Sequence, residues 1–161
     1  MAKKKKKTDA PTFENRRARH EYFIEDTLET GVVLQGSEVK AIRDGRVSIG
    51  EGYISVEETP VLRLVMHQVD IGSYQPSGAL NHIPKRDRVL LAHKREILKL
   101  ARQVDQKGVT LVPLKMYFVE GKVKILVGLA RGKQSHDKRH AIAERQVQRD
   151  LQRAMSRKVI R

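Results

Sequence analysis

The sequence predicts a mostly-β fold: a small antiparallel barrel with two or three helices, followed by a basic C-terminal tail. Three observations lead there. Short β-branched runs punctuated by glycine and proline fill residues 20–130. Within that stretch, sustained helical spacing of apolar residues is confined to 94–106. From about residue 139 glycine and proline vanish and good helix formers take over.

Taken in order, residues 3–7 are five lysines, a run that repels itself and stays extended. Residues 21–24 and 31–34 read as two short strands. Residues 36–45 read as a short helix, with Ser37 as cap, Val39 and Ile42 on one face, and Gly45 ending it. Strands follow at 47–49, 53–56 and 61–66. Residues 72–88 read as a long loop with a basic end at Lys85, Arg86 and Arg88. Leu90-Leu91 leads into a helix over 94–106, whose apolar face is Ile97, Leu100, Ala101 and Val104. Residues 109–119 and 122–130 read as two strands joined at Glu120-Gly121, and Pro113 argues for a sheet edge or a bulge. Many short strands with few helices in about 110 residues suit an OB-like barrel. That divides the chain into a basic arm (1–12), a barrel (13–131) and a tail (132–161).

Charge adds a function class. The chain has 33 Lys and Arg against 19 Asp and Glu, a formal net charge of +14. Residues 1–19 hold eight basic against two acidic side chains, and residues 131–161 hold ten against three. The stretch between them is left with +1. A near-neutral body with two cationic arms suits a polyanion, because the arms neutralise phosphates and release counterions. In the tail, Arg145, Arg149, Arg153, Arg157 and Arg161 recur every four residues. Ala143, Val147, Leu151, Met155 and Val159 do the same, offset by two, so the two columns oppose each other on a helix. So thin an apolar column predicts a tail that is loose alone and folds against an anionic partner.

Other classes lack support. With no Cys there is no disulfide, thiolate nucleophile or Cys-ligated metal. No run approaches the roughly 18 apolar residues of a membrane span, and the lysine run has no apolar stretch after it to make a secretory leader. His136-Asp137 and His140 sit among Lys138 and Arg139, a poor setting for a divalent ion, so no metal site is expected. No nucleophile elbow, P-loop or dinucleotide fingerprint is visible, so neither catalysis nor a cofactor is expected. A peripheral membrane protein using the amphipathic arm is the weaker alternative, since that arm has no Trp or Phe.

Two segments go further. Asn15-Arg16-Arg17-Ala18-Arg19-His20-Glu21-Tyr22-Phe23-Ile24-Glu25, continuing through Leu28-Glu29-Thr30-Gly31 to Leu34-Gln35-Gly36-Ser37-Glu38-Val39-Lys40-Ala41-Ile42-Arg43, is one. Gly132-Lys133 with His136-Asp137-Lys138-Arg139 is the other. Together they resemble the signatures of the SmpB family, the SsrA-binding proteins of bacteria. Leu90-Leu91, Lys94-Arg95-Glu96-Ile97, residues 110–114 and Lys122-Val123-Lys124 fit in order. The resemblance implies a cytoplasmic, monomeric protein without enzymatic activity. It would bind the tRNA-like domain of tmRNA and carry it, with elongation factor Tu, to the vacant A site of a stalled ribosome. There it would stand in for the codon–anticodon stem while its tail becomes helical in the empty mRNA channel. Carried over by position, Asn15, Arg17, Arg19, Glu29, Glu38, Lys40, Leu91, Lys122 and Lys124 would form or support the tmRNA face. For Leu91 and Glu38, packing is the equal alternative. Gly132, as hinge, with Lys133, His136, Asp137, Lys138, Arg139, Arg145, Arg149 and Arg153 would meet the decoding centre and the channel. Gln134, Ser135 and residues 143–146 depart from the family pattern. A general RNA-binding OB protein or ribosomal protein without tmRNA preference is the competing expectation.

Overall fold

A computed structural model describes residues 10–134, 142 and 146–155. The order along the chain is β1 (Phe13–Glu14), α1 (Arg16–Glu21), β2 (Tyr22–Val32), α2 (Gly36–Arg43), β3 (Val47–Ser48), β4 (Tyr53–Glu57), β5 (Arg63–His67) and β6 (Asp70–Ile71). A 3-10 turn (Gln75–Leu80), β7 (Arg88–Leu91), α3 (Lys94–Val104), β8 (Val109–Val119) and β9 (Lys122–Gly132) complete it. Pairing runs β8-β4-β5-β7-β2-β9 and returns from β9 to β8, so six antiparallel strands close a ring, with β1 added outside on β8. Closure leaves the ring strands without a free edge. An OB-like barrel is thus present, with one ring strand more than the usual five. β3 and β6 pair separately as a small ribbon.

Several sequence expectations change here. The two short strands at 21–24 and 31–34 are one continuous strand, β2. Its polar residues 25–27 hide it from a hydrophobicity reading, yet Asp26 and Thr27 pair with Leu129 and Gly128 on β9, with Glu25 in the bulge before them. Leu90-Leu91 is β7 rather than a helix lead, because Gly31 and Val32 of β2 pair with it on one side and β5 on the other. Helix α1 and strands β1 and β6 are too short to show in the sequence. Ser37 does not cap α2: Gln35 precedes the helix, Glu38 accepts its backbone N–H, and Ser37 instead meets His82.

Two bulges shape the barrel. In β2 the register slips between Ile24 and Asp26, and in β8 between Pro113 and Lys115. Each extra residue swaps which alternate positions face inward. Leu28, Leu111, Met116, Ile125, Val127 and Leu129 therefore reach the barrel core, closed by Ile97 and Leu100 of α3 and by Ala41 and Ile42 of α2. Ile24, Val112, Leu114 and Ala130 face outward instead and form a second core with Ala18 of α1. Pro113 sits at the bulge, as a residue without an N–H must in a paired strand.

Candidate nucleic-acid interface

The outer face of β2, β9 and β8 carries the residues that can meet an RNA. Lys124 lies between Gly31 and Tyr117, and Leu126 between Glu29 and Lys115. These are adjacent rungs on the face opposite the barrel core. The β8–β9 hairpin that sets them turns at Glu120 (φ 49) and Gly121 (φ 77). Two left-handed residues match the twist of the flanking strands, which is why a two-residue loop suffices.

At one end, Gly31, Val32, Leu34, Val39, Leu91 and Lys122–Lys124 line a groove of about 400 Å³. Its floor is apolar and its rim is cationic. Leu91 is 56% exposed, so it belongs to this surface rather than to the core. A Cβ on Gly31 would stand 3.2 Å from the Leu91 Cβ, so glycine is what lets Leu91 lie against β2. Beside the groove, Tyr117 donates its hydroxyl to Glu29, and Lys124 approaches the other Glu29 oxygen at 3.7 Å. Burial, followed by the Glu29 carboxylate, pushes Tyr117 up to about 12, so it stays a donor at neutral pH. Further along, Glu14, Arg16, Arg19, Lys115 and Leu126 line a second recess of about 380 Å³ beneath α1. Lys115 holds Glu14 at 2.9 Å and keeps that carboxyl below its ordinary range.

The sequence-predicted residues sort into three groups. Arg19, Glu29, Leu91, Lys122 and Lys124 share this face. Arg17 is exposed beside it but bonds Glu51 and Glu21, and Lys40 leans over the Tyr74 ring at 5.3 Å. Asn15 and Glu38 are not surface groups at all. Asn15 is 6% exposed: it accepts the Ala18 N–H at 3.0 Å to cap α1 and donates to the carbonyls of Ile49 and Pro113. Glu38 is fully buried, held by Arg86 (2.6 Å) and by Arg88 (2.8 Å). Burial would raise its pKa, but the two guanidinium groups and the Gln35 N–H hold it below the ordinary value of 4.5. Both side chains are buried, so neither offers a surface that a partner could touch.

Arg16, Lys115, Tyr117 and Leu126 also lie on this face, although neither charge nor family resemblance singles them out in the sequence. The period-2 pattern of 115, 117, 122, 124 and 126 across a two-residue turn was the available signal. Of the tail residues, Gly132 ends β9 and pairs with Tyr22. Arg149 and Arg153 lie on an exposed helix over 146–155. His136, Asp137, Lys138, Arg139 and Arg145 fall outside the described residues.

Ser55, His67 and Asp87 form a chain with 2.8 Å at each link. Ser55 and His67 sit within the β4–β5 ladder and the His67 ring stacks on Tyr53, so the chain ties strands together. Among the described residues no group of three His, Cys, Asp or Glu is placed to hold a metal ion, and no helix is long and apolar enough to cross a membrane.

Known proteins share this sequence pattern and fold. The family model described as SmpB protein matches residues 12–157. The SsrA-binding protein of Thermobifida fusca is 46% identical over 162 residues, covering 98% of this chain and 99% of that one. That of Acidothermus cellulolyticus is 48% identical over 145 residues, covering 90% and 89%. A solved chain described as "tmRNA-SmpB: a journey to the center of the bacterial ribosome" superposes with a TM-score of 0.65 at 45% identity, covering 83% of this chain and 95% of its own.

Proposed function

The chain belongs to the SmpB family, and on that premise we propose how its own surfaces divide the work of trans-translation. It is an RNA-binding protein that binds tmRNA and acts with it on the stalled ribosome. The observation that carries this is the 45% identical chain solved in the tmRNA-SmpB ribosome context, which shares the barrel built here.

The outer face of β2, β9 and β8 takes the tRNA-like domain. Lys122, Lys124 and Arg19 neutralise phosphates. Leu91 and Val39 offer apolar contact to ribose and base faces. Glu29 is fixed by Tyr117 and Lys124, and its remaining lone pairs accept from a 2′-hydroxyl or an exocyclic amine, donors that phosphate cannot supply. Shape and 2′-hydroxyl reading suit a folded RNA.

From the groove at Lys124 to the end of β9 at Gly132 the strand runs eight residues, about 26 Å at ~3.3 Å per residue. That exceeds the ~8 Å screening length of physiological salt, so the tail's cations do not compete for the same phosphates. The tail enters the empty mRNA channel with His136 and Asp137-Lys138-Arg139 at its start; residues 146–155 are already helical in the free chain, so that part does not wait for the channel to fold. The protein makes and breaks no bond, works in the cytoplasm as a monomer, and is delivered with elongation factor Tu.

A competition assay between the tRNA-like domain and ordinary tRNA of similar length tests the reading. A clear preference for the tRNA-like domain is expected, and equal competition would leave a general RNA-binding OB protein. A K122E/K124E variant is expected to lower the salt slope of tmRNA binding by about one unit per lysine. An unchanged slope would remove these lysines from the interface.

A further inference from the structure

We infer that Lys133 is an intramolecular clasp that sets the direction in which the tail leaves the barrel, rather than a ribosome contact. The inference rests on the tail's role proposed above, but its test in the free protein does not. Three contacts hold this one residue, one through its backbone and two through its ammonium. Its backbone N–H donates to the Glu21 carbonyl at 2.9 Å, adding a rung to the β2–β9 ladder beyond the Tyr22–Gly132 pair. Its ammonium donates to the Arg19 carbonyl at 3.0 Å. The same ammonium stands 4.8 Å from the centre of the Phe23 ring. Arg19 lies in the last turn of α1, where helix carbonyls lack partners and carry partial negative charge, so a cation there is favoured. Phe23 is 49% exposed, and a cation over its ring is the contact that gives an exposed aromatic a function here.

The clasp therefore joins α1, the start of β2 and the root of the tail. Next to it, Arg131 bonds Glu25 at 2.6 Å. With its root so held, the tail begins beyond Lys133, one residue later than a hinge at Gly132 would place it. A fixed root matters because a tethered segment engages its site with an effective concentration set by how narrowly its origin is aimed. A freed root spreads the same tail over a larger volume.

Backbone 15N relaxation on the full chain is the direct measurement. Wild type is expected to show order parameters at residues 133 and 134 near the rigid-backbone value of about 0.85. In Lys133→Met and in Phe23→Ala they are expected to fall toward about 0.6, while strands β8 and β9 and the melting temperature stay as in wild type. Lys133→Arg is expected to restore them, since a guanidinium also donates to a carbonyl and stacks on a ring. Affinity for the tRNA-like domain is expected to be unchanged in all three variants, with tag addition on stalled ribosomes reduced several-fold in Lys133→Met and Phe23→Ala alone. Low order at residue 133 in wild type would overturn the inference. So would a Lys133→Met variant that loses tagging while its order parameters match wild type and Phe23→Ala tags normally, for then Lys133 meets the ribosome. Failure of wild type itself to bind the tRNA-like domain would overturn the proposed function while leaving the relaxation result readable.

Discussion

Glu38 carries a full negative charge with no water contact, and this is tolerable only because every lone pair direction has a partner. Arg86 and Arg88 supply the countercharge, and Arg88, itself fully buried, spends its other N–H groups on the carbonyls of Val69, Pro84 and Arg86. The cluster pins α2 to the strand and loop that carry β7 and therefore Leu91. Removing one member of such a pair leaves an uncompensated buried charge, so Glu38→Gln is expected to cost roughly 3–5 kcal/mol in chemical denaturation at pH 7. The pH dependence has a definite sign. A carboxyl whose folded pKa lies below its ordinary 4.5 stabilises the fold above that value, and the contribution is lost as pH falls through the folded pKa. Wild type is thus expected to lose stability below about pH 4.5, and the Gln variant to show a shallower loss there. Identical acid limbs would refute the assignment. The family resemblance singles out Glu38 in the sequence, with packing as the equal alternative; burial decides between them, and it is a property of neighbours that lie 48 and 50 residues away.

Helix α1 shows what a short element needs. Six residues cannot sustain a helix alone, since nucleation outweighs so few hydrogen bonds. Asn15 compensates by capping the helix and by tying its start to the turn at Ile49 and the bulge at Pro113. Ala18 then fills the outer core against Val112, Leu114 and Ala130. Asn15→Ala is expected to cost about 1–3 kcal/mol, combining a lost cap with two orphaned carbonyls. Its tmRNA affinity is expected to recover on cooling, when α1 re-forms; a temperature-independent loss in calorimetry would instead make Asn15 a contact residue. The β8–β9 hairpin was the most legible element, since its turn chemistry and flanking runs agree. β2 was the least, because its polar stretch earns a place in the sheet only through the strand it pairs with.

At the scale of the molecule, the Lys122–Lys124 groove lies at one end of β9 and the root of the tail at the other, with Arg19 of α1 beside that root. Deleting residues 134–161 is expected to leave tRNA-like-domain affinity within about twofold of wild type while abolishing tag addition on stalled ribosomes; by mass action a twofold change is well under 1 kcal/mol. Loss of RNA binding in that truncation would refute the division. The amino-acid sequence alone determined the fold class, the placement of nearly all excess charge in the terminal segments, and the family resemblance, because composition, local periodicity and ordered motifs are carried by residues close together in the chain. Tertiary structure decided which polar groups of the family-like segments face water: Arg19, Glu29 and Lys124 outward, Asn15 and Glu38 inward. It also decided that Lys133 folds back on the barrel. For the strand residues the two single-residue bulges decide, since a one-residue slip in register exchanges the inside of a strand for its outside; for Asn15 and Glu38 the deciding partners lie 34 to 98 residues away along the chain.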